Sequence, residues 1–253
     1  MSEVMLQQTQ SLRVVGPWLK FIERFPTPES CAEAPLSEVL RVWSGLGYPR
    51  RARALHSAAR QIVNEHGGAV PASYEGLRSL PGVGDYTASA VSSFAFHLPL
   101  AVLDTNVGRV LARALVNRSL SAKEARQVAG SLLAKGDSAP HNQAMIDLGA
   151  LFCRSIPRCE TCPVSRACRW RNEGGPDPAP KSAGVSAPQA KFAGSDRQLR
   201  GRILREVLDR PQSRAMIRRA IGEVDDVRFE RLVESLRRDG LIETGRLIRL
   251  ADG

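Results

Sequence analysis

Apolar residues recur at helical spacing along most of this chain. Leu36, Val39, Leu40 and Trp43 form one stripe, Ala54, Leu55, Ala58, Ile62 and Val63 a second, and Val107, Val110, Leu111 and Leu115 a third. Each predicts an amphipathic helix with one buried face. Gly67-Gly68 and Pro71 interrupt the pattern before a further helical stretch that runs into Leu80-Pro81-Gly82-Val83-Gly84. Helical spacing returns near the C-terminus in Leu199-Ile203-Leu204-Val207-Leu208, in Ala215-Ile217-Ile221 and in Val227-Phe229-Leu232-Val233-Leu236. There the period changes. Gly240 stops the last helix, Leu241–Thr244 reads as a strand, Gly245-Arg246 as a turn and Leu247–Leu250 as a return strand. The expected fold is all-α, with a small α+β unit of winged-helix pattern over residues 192–253. Its third helix carries Arg228, Arg231, Arg237 and Arg238, a basic face that either touches DNA or is simply solvated.

Composition divides the chain further. From Arg171 to Ala190 it shifts to Gly, Pro, Ser and Ala, including Gly174-Gly175-Pro176-Asp177-Pro178-Ala179-Pro180, which predicts a flexible, partly extended linker. The expected organisation is a helical domain over 1–119, a cysteine-bearing domain over 120–172, a linker over 173–191 and the winged-helix-like unit. At 253 residues the chain can bury a sizeable core, and its formal net charge of +10 favours a polyanionic partner. No apolar run approaches membrane-spanning length, so no membrane partner is expected.

Three features carry candidate chemistry. Cys153-x5-Cys159-x2-Cys162-x5-Cys168 places four thiols within sixteen residues, with Cys31 far away. Spacing alone leaves structural zinc and an iron–sulfur cluster equally open. Two disulfides are disfavoured, because no secretory segment is seen after Met1. The second feature is Leu80-Pro81-Gly82-Val83-Gly84-Asp85-Tyr86-Thr87-Ala88. Pro81 and the glycines forbid helix continuation, and glycines at positive φ leave backbone N–H groups free, as at a phosphate site. An ordinary helix–helix turn is the plainer reading. The third is Asp104 in Val102-Leu103-Asp104-Thr105-Asn106-Val107-Gly108-Arg109-Val110-Leu111, which is either a simple helix N-cap or a carboxylate held at a reacting carbon.

Hairpin, aspartate and four-cysteine segment in this order resemble the helix-hairpin-helix base-excision DNA glycosylases that carry a [4Fe-4S] cluster. Within them the chain is most similar to the MutY-type adenine glycosylases. The likeness runs from Ser2 to about Trp170. It includes Ser2-Glu3-Val4-Met5-Leu6-Gln7-Gln8-Thr9-Gln10, Gly45-Leu46-Gly47-Tyr48, Arg51-Ala52-Arg53 and Asn142-Gln143-Ala144-Met145-Ile146-Asp147-Leu148-Gly149-Ala150. The resemblance implies a helix-hairpin-helix glycosylase fold and one [4Fe-4S] cluster on Cys153, Cys159, Cys162 and Cys168. The implied partner is double-stranded DNA with adenine opposite 8-oxoguanine or guanine. It further implies a monomer in the cytoplasm, at the bacterial nucleoid.

Cleaving a base from deoxyribose breaks C1′–N9 toward an oxocarbenium-like cation. The site therefore needs a proton for the leaving purine and a negative charge beneath the sugar. By resemblance, Glu3 is the acid, Asp104 stabilises the cation or bonds to it transiently, and Asn106 orients sugar or water. Tyr86 stands where bifunctional relatives such as endonuclease III carry a Schiff-base lysine. A phenol forms no imine, so a monofunctional enzyme is implied, with Tyr86 as pocket wall. Gln8 is implied as a wedge in the base stack and Tyr48 as the residue beside 8-oxoguanine. Gly82, Val83, Gly84 and Thr87 of the hairpin, with Arg154 and Arg158 of the cluster loop, are implied to approach phosphates. The family usually has an N-terminal helix and a Pro-Trp-Arg segment before the glutamate motif, so a chain starting two residues before Glu3 is expected to be N-terminally truncated. The first cysteine interval is one residue short of the usual six. A winged-helix-like unit also stands where many MutY proteins carry a Nudix-like domain. Two other functions compete: a thymine-DNA mismatch glycosylase of the same superfamily, and a non-catalytic iron–sulfur DNA-binding or regulatory protein.

Overall fold

The computed structural model describes residues 1–133, 136–185 and 191–253. It divides the chain into two compact units, one of Met1–Pro71, Leu80–Gly82 and Ala190–Gly253, the other of Ala72–Ser79 and Val83–Gln189.

In the first unit the stripes read from the sequence become α1 (Ser2–Leu6), α2 (Ser11–Arg24), α3 (Pro28–Glu33), α4 (Leu36–Trp43) and α5 (Arg50–His66). Thr27 and Ser30 exchange a capping box at the start of α3, and Gly67 at φ 60° ends α5 in the left-handed conformation that glycine tolerates. Pro49 and Pro35 stand immediately before α5 and α4, where a missing N–H costs nothing. Val39, Leu40 and Trp43 are at most 2% exposed, and Met5 is fully buried beside them in the same core cluster.

That core continues into the C-terminal residues. Here α12 (Asp196–Glu206), α13 (Arg214–Ile221) and α14 (Asp226–Arg238) are followed by β1 (Ile242–Thr244) and β2 (Ile248–Leu250), as the change of period predicts. Ser195, Ser213 and Asp225 each accept a backbone N–H at the helix starts, a cap that contributes about 1 kcal/mol. The strands pair antiparallel, Ile242 opposite Leu250 and Thr244 opposite Ile248, so both isoleucines face the core. Phe229, Leu232, Val233 and Leu236 cover one face of α14 at helical spacing, each burial stabilising by about 1.5–3 kcal/mol.

These residues share one cluster with Val4, Met5, Phe21 and Trp43, so the winged-helix-like elements are fused to α1–α5 by a common core. Polar contacts reinforce the join. Leu36 N donates to Asp252 O at 3.0 Å, Arg41 Nε to Leu208 O at 2.7 Å and Arg53 to Asp239 O at 2.7 Å. The arginines on α14 are held within their own unit. Arg228 and Arg231 both bind Asp196, while Arg237 and Arg238 lie against Glu234.

The second unit holds α6 (Tyr74–Arg78), α7 (Asp85–Phe96), α8 (Thr105–Val110), α9 (Ala122–Ser131), α10 (Ala139–Leu151) and α11 (Arg169–Glu173). The stripe over Val107–Leu115 spans α8 and a wider π-helical turn, Leu111–Val116, that continues it. Its Val107, Val110 and Leu111 are buried. Ser121 and Glu124 form a capping box on α9.

The segment read from its Gly and Pro content as flexible linker carries specific contacts over residues 174–185, while 186–190 lie outside the described residues. Pro178, Ala179 and Ser182 are buried. Ser182 Oγ accepts Leu120 N at 3.1 Å, Ala183 N donates to Leu120 O at 2.8 Å and Ser119 Oγ donates to Pro178 O at 3.0 Å. Ala179–Lys181 form one 3-10 turn, and this strap lies against Ser119 and Leu120 and along α8. Among the described residues no helix is long and apolar enough to cross a membrane.

Candidate active site

Asp104 is the N-cap of α8, and its carboxylate is anchored at both oxygens. One accepts Val107 N at 2.7 Å and the other accepts Asn106 Nδ2 at 2.7 Å. Two donors at that distance fix the direction of the carboxylate. The N-cap reading and the functional reading are therefore both served by one side chain. Asn106 Oδ1 in turn accepts Arg109, which also donates to Gly149 O at 2.9 Å and to Cys153 O at 2.7 Å. Burial lowers the Arg109 pKa, with Cys153 and Asp104 opposing. The stretch 104–109 thus ties the aspartate to the first cysteine. Arg109 was not singled out as a site residue in the sequence, because its partners at 149 and 153 are invisible to local pattern.

The Asn142–Ala150 motif acquires its reason in the same place. Buried Asn142 accepts Val102 N at 3.0 Å and donates to Leu100 O and Ser93 Oγ, holding the extended chain that enters Asp104. Gly149 allows α10 to touch Asn106: a Cβ there would lie 2.5 Å from Asn106 O.

Beyond Arg109, Arg113 is 1% exposed, an unusual burial for a cation. It grips Asp177 of the strap at 2.8 and 2.6 Å, the carbonyl of Arg154 at 2.6 Å and that of Ser155 at 3.3 Å. Its guanidinium also lies 5.3 Å from the Trp170 ring centroid and 3.5 Å from Cys153 Sγ. Arg113 holds the Asp177 carboxyl below the usual carboxylate range. Cys153, Cys159, Cys162 and Cys168 all line one recess, together with Arg113, Leu148, Phe152 and Trp170. None of the four forms a disulfide. Among the described residues no group of three Cys, His, Asp or Glu side chains converges tightly enough for a single metal ion. Arg154 and Arg158 lie exposed on the loop between the first two cysteines.

In the first unit, Glu3 lies half-buried on α1, and Gln8 is exposed just beyond it at φ 55°. Arg51 secures this segment. It donates to the carbonyls of Val4 at 3.0 Å, Met5 at 2.9 Å and Gln7 at 2.5 Å, and to Thr9 Oγ1 at 3.1 Å. A second set of bonds reaches Leu46 O at 3.3 Å and Gly47 O at 3.1 Å, so the glutamate motif and the Gly45–Tyr48 turn share one clamp. Gly45, Gly47 and Tyr48 all have positive φ, and Tyr48 at 48° is a non-glycine residue in the left-handed region. The α-amino group of Met1 feels the Glu3 carboxylate, but burial outweighs that attraction and lowers its pKa.

The hairpin departs from expectation at one glycine. Gly82 has φ 78° and packs so closely that a Cβ would lie 2.6 Å from Ala54 Cβ, whereas Gly84 is extended and serves as N-cap of α7. Gly82 and Gly84 are exposed and Val83 and Thr87 buried, so the glycines present backbone to solvent while their neighbours anchor the turn. Arg78 binds Asp85 at 2.6 Å and Val83 O at 3.2 Å, fixing the start of α7. Tyr86 follows in the first turn of α7, half-buried. No lysine occurs between residues 80 and 88.

Residues 1–135 match the HhH-GPD superfamily base excision DNA repair protein family. Among individual proteins, the chain is 42% identical over 250 residues to the adenine DNA glycosylase of Mycolicibacterium smegmatis, covering 96% of this chain and 82% of that one. An alignment of that extent runs through most of the C-terminal elements. Identity to the human adenine DNA glycosylase is 41% over 177 residues, 67% of this chain and 32% of the human one. Of solved structures, a thermostable thymine-DNA glycosylase superposes with TM-score 0.62 at 29% identity, covering 68% of this chain and 82% of that chain. A trapped endonuclease III–DNA covalent intermediate superposes with TM-score 0.63 at 28% identity, with the same coverage.

Proposed function

This chain belongs to the HhH-GPD superfamily of base-excision DNA repair proteins, and we propose that it excises adenine mispaired with 8-oxoguanine or guanine without cutting the strand. It is a DNA glycosylase, and DNA is its partner. Glu3 delivers a proton to N7 of the adenine as C1′–N9 breaks and the bonding electron pair leaves with the purine. The Asp104 carboxylate offsets the charge that develops on the sugar. Water then adds to C1′ and its proton returns to Glu3, leaving an abasic site and free adenine. Tyr86 supplies no amine, so no Schiff base forms and the backbone stays intact. Gln8, exposed in its left-handed turn, wedges the duplex, Tyr48 lies beside the opposite base, and the exposed hairpin glycines with Arg154 and Arg158 meet phosphates.

The observation that carries this reading is the Asp104 carboxylate, anchored by Val107 and Asn106 at 2.7 Å each. Adenine as target rests on the adenine glycosylase relatives, whose identity of 42% runs over nearly the whole chain.

Cys153, Cys159, Cys162 and Cys168 suit a [4Fe-4S] cluster. Four thiols within sixteen residues line one recess, a donor set that such a cluster would take. Such a cluster would cross-link the loop that presents Arg154 and Arg158. The decisive assay incubates the protein with duplexes carrying A opposite 8-oxoguanine, A opposite G and T opposite G. Adenine release, with strand breaks only after alkali, is expected. Thymine release, a borohydride-trapped adduct or no excision at all would each overturn the corresponding part of the proposal.

A further inference from the structure

The C-terminal elements touch the turn that carries Tyr48. Arg197, in the first turn of α12, donates to Tyr48 Oη at 2.6 Å although 149 residues separate them. Its guanidinium carbon lies 5.5 Å from the Tyr48 ring centroid and 5.2 Å from that of Phe192. Arg51 lies 5.3 Å from the Tyr48 ring centroid and 5.3 Å from that of Trp43. Trp43, Arg51, Tyr48, Arg197 and Phe192 therefore alternate aromatic and cation in one chain of contacts, each step an attraction of guanidinium to the ring.

The anchoring of Arg197 is itself elaborate. Ser195 caps α12 by accepting Gln198 N at 3.2 Å, and Gln198 Oε1 accepts Gly194 N at 2.7 Å. Asp196, the residue before Arg197, is held by Arg228 at 2.9 Å and Arg231 at 2.7 Å. The basic residues of α14 thus serve to fix the start of α12. Tyr48 needs such fixing, since a bulky residue in the left-handed region keeps that conformation only where its surroundings over-determine it.

We propose that Arg197 is a positioning residue for Tyr48, so that the C-terminal elements set how strongly the enzyme favours adenine opposite 8-oxoguanine over adenine opposite guanine. The inference rests on the proposed role of Tyr48 beside the opposite base. A ring clamped at its hydroxyl and on its face enters the duplex without first losing rotational freedom, and only contacts to a correctly placed ring can report the lesion.

The readout is the ratio of single-turnover excision rates on A:8-oxoguanine and A:G duplexes, measured on the full chain. Arg197→Ala should lower the ratio about ten-fold, the effect of losing one charge-assisted contact. Arg197→Lys, which keeps a donor for the phenol, should recover part of it. In a Tyr48→Ala background, Arg197→Ala should change the ratio no further. Arg41→Ala removes a different bond to the C-terminal elements, at Leu208 O, and should lower the melting temperature without moving the ratio. If the ratio falls with Tyr48→Ala but not with Arg197→Ala, this inference alone is overturned. An enzyme that excises no adenine, or whose ratio ignores Tyr48, overturns the underlying reading and this inference together.

Discussion

Removing Asp177 should destabilise the second unit more than removing Arg113, although Asp177 is the more exposed partner. The Arg113 side chain is 2% exposed and that of Asp177 29%. In Arg113→Met the abandoned carboxylate can still hydrate, and the lost bonds go mainly to Asp177 and to the carbonyls of Arg154 and Ser155. In Asp177→Ala the buried guanidinium remains in place without its carboxylate partner. Breaking a buried pair by deleting one partner costs about 3–5 kcal/mol, and the figure falls when the survivor reaches water. The expectation is about 4 kcal/mol for Asp177→Ala and about 2 kcal/mol for Arg113→Met. At roughly 3 °C per kcal/mol these become melting-point losses of about 12 and 6 °C. Thermal melts of anaerobically purified protein at neutral pH measure both. The pH dependence has a definite sign. Arg113 depresses the Asp177 pKa, so the contribution is complete above the unfolded carboxylate value of about 4 and fades as pH falls through the lower folded value. The gap between wild type and Asp177→Ala should therefore narrow in acid. A loss below about 3 °C for Asp177→Ala, or a reversed order of the two variants, would refute the reasoning and return 174–185 to the status of a loose connector.

Asp104→Asn separates charge from capping, since asparagine caps a helix as well as aspartate does. Its melting point should stay within about 2 °C while excision drops at least ~100-fold and DNA binding persists, as titration with uncleaved duplex would report. Glu3→Gln should abolish excision in the same single-turnover assay, and a near-normal rate would remove Glu3 from its assignment. Gly149→Ala forces a Cβ within 2.6 Å of Asn106 Cβ, so it should cost about 1–3 kcal/mol in urea denaturation and slow excision by displacing the network around Asp104. Cys31, whose thiol burial pushes up to about 11, should escape iodoacetamide at pH 8 in the folded protein, as mass spectrometry of peptides would show. Anaerobic protein should contain four irons per chain, whereas stoichiometric zinc in a colourless preparation would count against the cluster.

Much of the helical framework was legible in the sequence because helical period is a local property. The stripes over 36–43 and 107–115 and the change of period after Gly240 reappear as helices and a β-hairpin. What composition could not reveal was where irregular segments go. Residues 174–180 signal irregular backbone, but Asp177 among them is held by Arg113, a partner 64 residues upstream. The tail was legible as three helices and a hairpin, yet not as a continuation of the core of α1–α5, since Leu36 and Asp252 meet only in the folded chain. At the hairpin, glycine content suggested positive φ generally, and the structure uses it at Gly82 but not Gly84. Arg51, Arg109 and Arg113 show the same limit. Each is one arginine among many in a basic chain, distinguished only by the carbonyls it finds.

The shared core of residues 1–71 and 191–253 has a consequence for biosynthesis. Met5, Leu40 and Trp43 leave the ribosome early, but Ile203, Phe229, Leu236 and Ile248, which complete their cluster, emerge last. All of the second unit is translated in between. Nascent α1–α5 must wait with much of their apolar face uncovered, a condition that favours chaperone binding and aggregation. The apolar cluster of Val107, Leu111, Leu120, Ala125 and Ala129 is made of residues of the intervening unit and can close while the tail is still being made. Ribosome stalling downstream of residue 189 should therefore yield a protease-resistant middle flanked by a protease-sensitive N-terminus, which becomes resistant only when the last helices are released.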